Sequence, residues 1–339
     1  MSNTSRFVTL HKYEPDRALQ PDDLVIEHRP NPSIQAGQVL LQPIAFSVDP
    51  VTQNRLTGRP GFLPQIALGA PIDGPAVGRV TDFRHPDHSV GDLVVGLMDW
   101  ASYSVWHPSD DDCLGLSKID ERLGKPSHML GVYGINGLTA YFGIIEVGDV
   151  QPREAVLISS AAGGVGAIAG QIAKIRGAKV FGLTSTQAKQ DIVMGRLGFD
   201  GVLDYRADNF ADQLLAMLPH GPDVYFDNVG GKLSQVVMGQ MRRPARIVEC
   251  GQIATYNDPD TAWKVDISPI HANGLRFDGF SVALFLHRAA EARTKLLGWV
   301  EGGQLDPLEH ELRGLEQLPG AIAGLFSGSN TGKLIVTTG

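Results

Sequence analysis

After about residue 131, this chain of 339 residues alternates between short apolar runs and longer segments with helical spacing. The predicted strands lie at 154–158, 179–183, 201–205, 223–226 and 246–249, and the predicted helices between them include 187–197 and 208–218. Consecutive parallel strands require crossover connections of this kind, which are right-handed in almost every known sheet. This part of the chain is therefore predicted to form an α/β domain around a parallel sheet.

The region before residue 131 has a different pattern. Predicted strands at 38–44 and 92–96 are separated by clusters of Pro and Gly, which favour a small barrel-like β domain. Another strand is predicted at 332–336. We therefore divide the chain into a β-rich domain at 1–130, a parallel-sheet domain at 131–301 and a final segment at 302–339.

Composition limits the classes of function. A chain of this length fits two domains, and its formal net charge of −8 argues against a general nucleic-acid binder, though not against a local basic pocket. Two cysteines, Cys113 and Cys250, rule out a disulfide framework and fit a reducing compartment. The N-terminus lacks the apolar core of a signal peptide, and no apolar run is long enough to span a bilayer. We expect a cytoplasmic protein with no membrane partner.

A zinc site is not expected. Structural zinc requires about four closely spaced Cys or His ligands, and catalytic zinc about three. Cys113 has no nearby cysteine, and histidines such as His85, His88 and His107 are scattered among Pro and Asp. Surface loops explain these histidines better than metal binding does, and we predict no metal.

The first predicted strand of the parallel sheet runs into a glycine-rich turn and then a helix. This order is the context of a dinucleotide-binding fingerprint. Gly163 would make the tight turn, Gly166 would let a pyrophosphate approach the helix N-terminus, and Gly170 would allow close helix–strand packing. By itself the loop is equally compatible with an ordinary strand-to-helix turn.

Two further polar turns follow successive strands. Asp227–Gly231 comes directly after one strand, and Cys250–Asn257 comes after the next. Ligands of open parallel sheets bind beyond the carboxyl ends of the strands. These two turns are therefore predicted to line one crevice.

The turn after the second strand favours NADPH over NADH. An NAD site normally has an acid here to accept from the ribose 2′-hydroxyl, but no Asp or Glu lies between Gly177 and Gln190. The hydroxyls of Thr184, Ser185 and Thr186 and the cation of Lys189 suit a 2′-phosphate instead. The competing interpretation is that Lys189 is an ordinary solvated helix residue.

Several motifs together resemble one family across most of the chain. These are Phe46–Pro50, Gly137–Gly143, Ala162–Gly166, Asp227–Gly231, Cys250–Asn257 and Asn330–Lys333. The combination resembles the zinc-independent medium-chain reductases, in the branch of prostaglandin reductases and alkenal double-bond reductases. The resemblance implies a Rossmann-type domain and a GroES-like β-rich domain, which is discontinuous because the segment after residue 301 returns to it.

The resemblance also implies roles for individual residues. Pyrophosphate would be held by Gly163, Gly164, Val165 and Gly166, and the 2′-phosphate by Lys189 and Tyr205 beside Ser185. The cofactor channel would be lined by Asn228, Cys250, Gly251, Gln252, Ile253, Ala254, Thr255 and Tyr256. The nicotinamide would lie beside Phe280, Ser281 and Val282, and Asn330 would also reach the cofactor.

The implied reaction is hydride transfer from NADPH to the β-carbon of an α,β-unsaturated aldehyde or ketone. Tyr256 is the first candidate for a catalytic hydroxyl, against the alternative that it only packs on the cofactor. Relatives often carry aromatic residues where this chain has Val51 and Ala272, which leaves the substrate open. Two other interpretations remain: an NADPH:quinone reductase and a non-catalytic NADPH-binding sensor. An apolar strand at 280–285 would pair across a homodimer, by analogy with the family.

Overall fold

A computed structural model describes residues 4–59, 63–108, 115–120, 123–256 and 266–338. The chain forms two compact units. The first consists of Met1–Gly131 together with Glu309–Gly339, and the second is Val132–Leu308.

The strands are given in chain order. The first unit begins with β1 Thr4–Leu10, β2 Leu24–Pro30, β3 Val39–Ser47, β4 Asp73–Phe83, β5 Leu93–Asp99, β6 Ser104–Trp106 and β7 Ser117–Lys118. The second unit contains β8 Ala155–Ile158, β9 Lys179–Thr184, β10 Gly201–Asp204, β11 Val224–Asp227, β12 Ala245–Glu249 and β13 Leu275–Gly279. The first unit is then completed by β14 Glu309–Arg313 and β15 Lys333–Thr337.

Helices connect these strands, most of them in the second unit. The first unit has α1 Pro50–Asn54. The second unit has α2 Ile135–Phe142, α3 Gly166–Ile175, α4 Gln187–Gly195, α5 Phe210–Met217, α6 Gly231–Gly239, α7 Ser268–Asn273 and α8 Ala289–Glu301, and α9 Leu318–Ala323 belongs again to the first unit. Among the described residues, no helix has both the length and the apolar character needed to cross a bilayer.

The first unit is built on a mixed, seven-stranded sheet. Its main path is β14-β15-β3-β4-β5-β7, β6 pairs with β3, and β1 and β2 form a separate antiparallel pair. Fully buried Trp100 and Phe46 are among the largest side chains of its core. Strand β15 lies between β14 and β3, so a segment that follows the second unit in sequence completes the sheet of the first.

A buried ion pair joins two of the family motifs in this unit. The ammonium group of Lys333 contacts the carboxylate of Asp49 and donates to the carbonyl oxygen of Val48 at 3.1 Å. Lys333 is 4% exposed, so its charge is almost removed from water. Because the Ser47 hydroxyl also donates to Asp49, the motifs at 46–50 and 330–333 have a structural role within this unit.

The second unit is an α/β domain around a six-stranded parallel sheet, as the alternating pattern predicts. Its strand order is β10-β9-β8-β11-β12-β13. Buried Leu157, Tyr225 and Ile247 pack in one core cluster of this unit, which fits strands covered by helices.

Two sequence predictions differ from the structure. The apolar run at 280–285 is not a strand: β13 ends at Gly279, and Val282–Arg288 form a 3-10 helix. The Ser281 hydroxyl accepts from the Ala283 amide at 3.4 Å, which favours a helical turn, and the Phe285 ring stacks on Phe142 at 4.8 Å between centroids. A short apolar run does not distinguish a strand from a buried helical turn.

The second difference concerns residues 302–308, which the sequence pattern assigns to the final segment. They belong to the second unit. The Gln171 side chain donates to the Asp306 carbonyl at 3.1 Å and accepts from its amide at 2.7 Å. Arg196 also donates to the Asp306 carboxylate at 2.8 Å. These contacts hold the segment against the parallel-sheet unit as far as Leu308.

Candidate active site

The strand order of the second unit fixes where a ligand can bind. Strand β8 lies between β9 and β11, so the connections run in one direction from β8 to β10 and in the other from β11 to β13. The crevice beyond the carboxyl ends at such a reversal is the usual dinucleotide site. The turns after β8 and β11 therefore flank the candidate site, and the turns at this end of the sheet contain most of the residues selected from the sequence.

The turn after β8 is tighter than its glycines alone suggest. The left-handed residue is Ser160, with φ of 51°, and the Gly163 amide closes the turn by donating to the Ser160 carbonyl at 2.8 Å. A Cβ on Gly166 would come within 2.3 Å of the same carbonyl oxygen. Gly166 is thus required for the helix to begin against its own turn, which brings the N-terminus of α3 to the crevice.

Gly170 is required one turn further along α3. A Cβ there would meet the ring of Phe199 at 1.9 Å, so the side chain that follows α4 fills the space over the helix. The sequence predicted that Gly170 allows close helix–strand packing, whereas the group it makes room for is the Phe199 ring, in the connection between α4 and β10.

The carboxylate of Asp227 organises the turn after β11. It is fully buried, and one oxygen accepts from the Ser159 hydroxyl at 3.0 Å, the Tyr225 hydroxyl at 3.0 Å and the Val229 amide at 2.9 Å. The Gly230 amide also donates to that oxygen, and the Ser234 hydroxyl donates to the other. Such a set of donors compensates a buried negative charge and fixes the turn.

The turns after β11 and β12 form one hydrogen-bonded layer. The amides of Cys250 and Gly251 donate to the Asp227 carbonyl at 2.8 and 3.1 Å, and the Ala254 amide donates to the Val229 carbonyl at 3.0 Å. The two polar turns recognised in the sequence are therefore in contact along their backbones. A change in one turn must move the other.

Asn228 is tied to the turn after β8. Its side-chain amide donates to the Ser159 carbonyl at 2.7 Å, and its backbone amide donates to the Ser159 hydroxyl at 2.7 Å. Ser159 therefore connects Asn228 and Asp227 with the glycine loop. These bonds give Asn228 a structural role in the crevice.

Two groups beside this layer are held neutral. Burial, and then the nearby Asp227 charge, raises the pKa of Glu249 to about 8, while the Gln252 side chain offsets part of the shift. Within the described part of the chain, neither carboxyl oxygen of Glu249 has a hydrogen-bond partner. Burial, followed by Glu249 and Asp227, raises the pKa of the Cys250 thiol to about 12, although the residue keeps some exposed surface.

Tyr256 folds back over its own turn. Its hydroxyl oxygen accepts from the Gln252 amide at 3.4 Å, and a Cβ placed on Gly251 would lie 3.5 Å from it. Burial is the main cause that raises the pKa of Tyr256, so its hydroxyl is protonated at neutral pH. The side chain packs against the turn, and its hydroxyl proton is retained as a potential donor.

The turns after β9 and β10 bring the expected 2′-phosphate residues together. Thr184 pairs with Asp204 between the strands, and the Tyr205 amide donates to the Thr184 carbonyl at 3.2 Å. The Thr186 hydroxyl caps α4 by accepting from the Lys189 amide at 3.4 Å. Ser185 and Tyr205 therefore lie on neighbouring turns at this end of the sheet, and Lys189 lies in the first turn of α4 beside them.

The remaining candidate residues have different positions. Phe280 follows β13 and contacts Phe285 edge-to-face at 6.1 Å between ring centroids, while Ser281 caps the 3-10 helix that begins at Val282. Asn330 belongs to the first unit, where its side-chain amide donates to the Gly332 carbonyl at 3.1 Å.

Two residues considered in the sequence, Cys113 and Asn257, lie outside the described residues. Over the described ranges, no group of three or more His, Cys, Asp or Glu side chains is arranged to hold a metal ion. The absence of a metal stays a prediction.

Sequence reasoning missed much of the support for the site. Ser159, Tyr225, Ser234 and Glu249 all adjoin Asp227, yet each is ordinary for its element in the sequence. The alternation of β11 offered one signal, because Tyr225 and Asp227 share a face two residues apart.

Comparisons with known proteins agree with this architecture. Residues 6–112 match a family model described as the N-terminal domain of oxidoreductase, and residues 164–299 match one described as zinc-binding dehydrogenase. An NADPH-dependent curcumin reductase from Escherichia coli is 34% identical, over 95% of this chain and 94% of that protein. A 2-alkenal reductase (NADP(+)-dependent) from Nicotiana tabacum is 32% identical, over 89% and 87%.

Two more similarities extend the comparison. Prostaglandin reductase 1 from Sus scrofa is 34% identical over 90% of this chain and 91% of its own. The crystal structure of CurA from Vibrio vulnificus in complex with NADPH has a TM-score of 0.91 at 28% identity, over 98% of this chain and 99% of that one. With these similarities over nearly its whole length, the chain belongs to the zinc-independent medium-chain dehydrogenase/reductase family, in the branch of curcumin, 2-alkenal and prostaglandin reductases.

Proposed function

We propose that this protein uses NADPH to reduce the carbon–carbon double bond of α,β-unsaturated aldehydes or ketones. Family membership makes the chain an NADPH-dependent oxidoreductase, and the names of its curcumin, alkenal and prostaglandin reductase relatives support the substrate class. The observation that carries the proposal is the layer formed by the turns after β11 and β12. Asp227 fixes this layer at the carboxyl ends of the sheet, where the layer would hold a nicotinamide ring in one orientation.

The residues present fit the cofactor. The N-terminus of α3 and the 163–166 turn would hold the pyrophosphate, and Ser185, Lys189 and Tyr205 would bind the 2′-phosphate. Lys189 is half-buried, and among the described residues it has no carboxylate partner, which suits an anion site. The Asn228 and Cys250–Tyr256 turns would line the channel, and we extend the proposal to Phe280, Ser281, Val282 and Asn330.

NADPH, when bound, supplies the hydride that is added to the β-carbon. The protein must hold the acceptor in place, polarise its carbonyl and allow a proton to reach the α-carbon. Tyr256 is our candidate for the hydroxyl that donates this proton, because its side chain closes the Cys250 turn and its hydroxyl lies against that turn. Water can deliver the proton in its place, since an enolate requires only an accessible acid.

The quinone reductase alternative gains less support. A quinone oxidoreductase from Escherichia coli in complex with NADPH has a TM-score of 0.77 at 20% identity, which shows a shared fold only. The predicted homodimer and the predicted cytoplasmic location stay predictions.

A substrate panel tests the reaction. Purified protein is mixed with NADPH and with 2-alkenals, enones, quinones and the matching saturated aldehydes, and the loss of reduced nicotinamide absorbance is followed. We expect oxidation with the alkenals and enones and none with the saturated aldehydes. With NADPH that carries deuterium at the transferred position, the label must appear on the β-carbon of the product. Label on the carbonyl carbon, or turnover with quinones alone, would contradict the proposal.

A further inference from the structure

The surroundings of Lys189 are electrostatically unusual. Its ammonium group is half-buried, and across the described residues no acidic side chain pairs with it. Burial lowers the pKa of Lys189, and the neighbouring guanidinium of Arg206 lowers it further. Two cations without a shared anion repel each other, and lost hydration adds to that cost. The pair is therefore arranged for an anion that joins it from solution.

Backbone geometry brings Arg206 to this position. Asp204, the last residue of β10, lies beside Thr184 at the end of β9, and its carboxylate accepts from the Arg206 amide at 2.8 Å. This bond closes a short turn that directs residues 205 and 206 beyond the sheet. Arg206 therefore follows β10 at the same end of the sheet at which Ser185 follows β9 and Lys189 lies in the first turn of α4.

The side chain of Arg206 also contacts Tyr205. Its guanidinium lies 5.7 Å from the centre of the Tyr205 ring, a distance within the range of cation–π contacts. The residue is exposed, so its donors are accessible to a ligand that approaches from water. Within the described part of the chain, Arg206 forms no ion pair with a carboxylate.

We infer that Arg206 is a second cation for the 2′-phosphate of NADPH and determines the preference for NADPH over NADH together with Lys189. The inference rests on the proposed function of the second unit as the cofactor site. A phosphomonoester carries a charge of about −1.5 to −2 at neutral pH, more than one lysine can neutralise. A guanidinium offers two parallel donors to phosphate oxygens, whereas an ammonium acts as a point charge.

The test measures binding and uses no enone. Dissociation constants for NADPH and NADH are determined by isothermal titration calorimetry for the wild type, Arg206→Gln, Arg206→Lys and Lys189→Gln. Arg153→Gln is the matched control, because this exposed arginine precedes β8 and so lies at the amino ends of the strands. It removes the same charge from the same unit without approaching the turns after β9 and β10.

We expect Arg206→Gln to weaken NADPH about tenfold, equivalent to about 1.4 kcal/mol, and to change NADH less than about twofold. Arg206→Lys should restore part of the loss, and the difference between wild type and Arg206→Gln should shrink as salt is added. The affinity for adenosine 2′,5′-bisphosphate should fall in Arg206→Gln as it does for NADPH, and the affinity for 5′-AMP should change as little as it does for NADH.

Equal losses for both cofactors, or an Arg206→Gln affinity for NADPH equal to that of the Arg153→Gln control, would overturn the inference. The result is separable from the proposed reaction. Selective loss of NADPH binding without turnover of any enone would retract the reaction and support Arg206. Turnover of enones together with an unchanged NADPH affinity in Arg206→Gln would support the proposed reaction and overturn the role of Arg206.

Discussion

At the scale of single residues, Asp227 has the largest structural influence on the site. Its buried carboxylate accepts hydrogen bonds from hydroxyl groups and from backbone amides. Its backbone carbonyl accepts hydrogen bonds from the amides of the turn after β12. The residues expected to contact NADPH are thus positioned by one that is itself enclosed. The turnover rate and the affinity for NADPH should depend on different residues around Asp227, so single substitutions should change one without the other.

Lys189→Ala should weaken NADPH by about tenfold or more while NADH changes little, because a charge-assisted bond to phosphate is worth about 1.5–3 kcal/mol. Fluorescence titration of the two reduced cofactors measures both affinities. Parallel losses for NADPH and NADH would assign Lys189 to the stability of α4 rather than to the phosphate.

Tyr256→Phe should lower turnover with an enone about tenfold and change NADPH affinity less. The substitution removes only the hydroxyl, and water can replace part of a general acid's contribution. Steady-state rates and a separate cofactor titration provide the comparison. If the rate is unchanged, Tyr256 is a packing residue on the Cys250 turn.

Residue types alone favour part of the proposed 2′-phosphate site. The absence of an acid after β9 and the presence of Lys189 are local features of the chain, and by themselves they indicate a phosphate. Arg206 could not be recognised in the same way, because an exposed arginine is ordinary and its importance depends on how β9 and β10 pair. The same holds for Ser159 and Ser234, whose partner Asp227 is close only in the folded chain.

At the scale of elements, β12 ends in an arrangement that depends on pH. Glu249 ends the strand beside Asp227 and immediately before the Cys250 turn. Because its pKa is raised from 4.5 to about 8, its neutral form is the one the fold favours. This contribution to stability is complete below the unfolded pKa and is lost as pH rises through the folded pKa.

The wild type should therefore lose stability relative to Glu249→Gln as pH increases from about 5 to about 7, by at least about 1.4 kcal/mol, the equivalent of one pKa unit. Urea unfolding at the two pH values measures the difference in the free energy of unfolding. Asp208→Asn, at an exposed position after β10, is the control. The difference in free energy of unfolding between wild type and Asp208→Asn should change less between the two pH values. A constant difference between wild type and Glu249→Gln would contradict neutral burial of Glu249.

Element prediction succeeded where periodicity and turns agreed. Strands β8 to β12 of the parallel sheet are preceded and followed by polar turns, so the sequence predicted all five even where their ends differ in the structure, whereas β13 at Leu275–Gly279 was not predicted. The strand prediction at 280–285 was wrong because an apolar segment fits either a strand or a helical turn. In the structure the segment forms a helical turn, in which Phe285 stacks on Phe142.

At the scale of the whole molecule, the cofactor site should appear as a set of segments that are distant in sequence. Saturating NADPH should slow hydrogen exchange in the turns at 160–166, 184–189, 227–230 and 250–254, since bound ligand stabilises the closed backbone there. The turns at the amino ends of the same strands serve as an internal control. Mass spectrometry with NADPH and with NADH makes the measurement.

The same experiment extends to the first unit. If Asn330 reaches the cofactor, residues 330–333 should also gain protection with NADPH. Protection spread evenly over both units would indicate general stabilisation instead of the proposed site. The discontinuous arrangement was predicted from the family resemblance, whereas residues 302–308 were misplaced because the contacts of Asp306 with Gln171 and Arg196 are invisible in a local pattern.

The place of β15 between β14 and β3 has a consequence for synthesis on the ribosome. The second unit is one continuous stretch and can fold as soon as it has emerged. The sheet of the first unit must wait with an open edge at β3 until the later strand arrives, and Asp49 meets its lysine only then. A nascent chain therefore presents an unpaired β edge during this interval, when chaperone binding or mispairing would be most frequent.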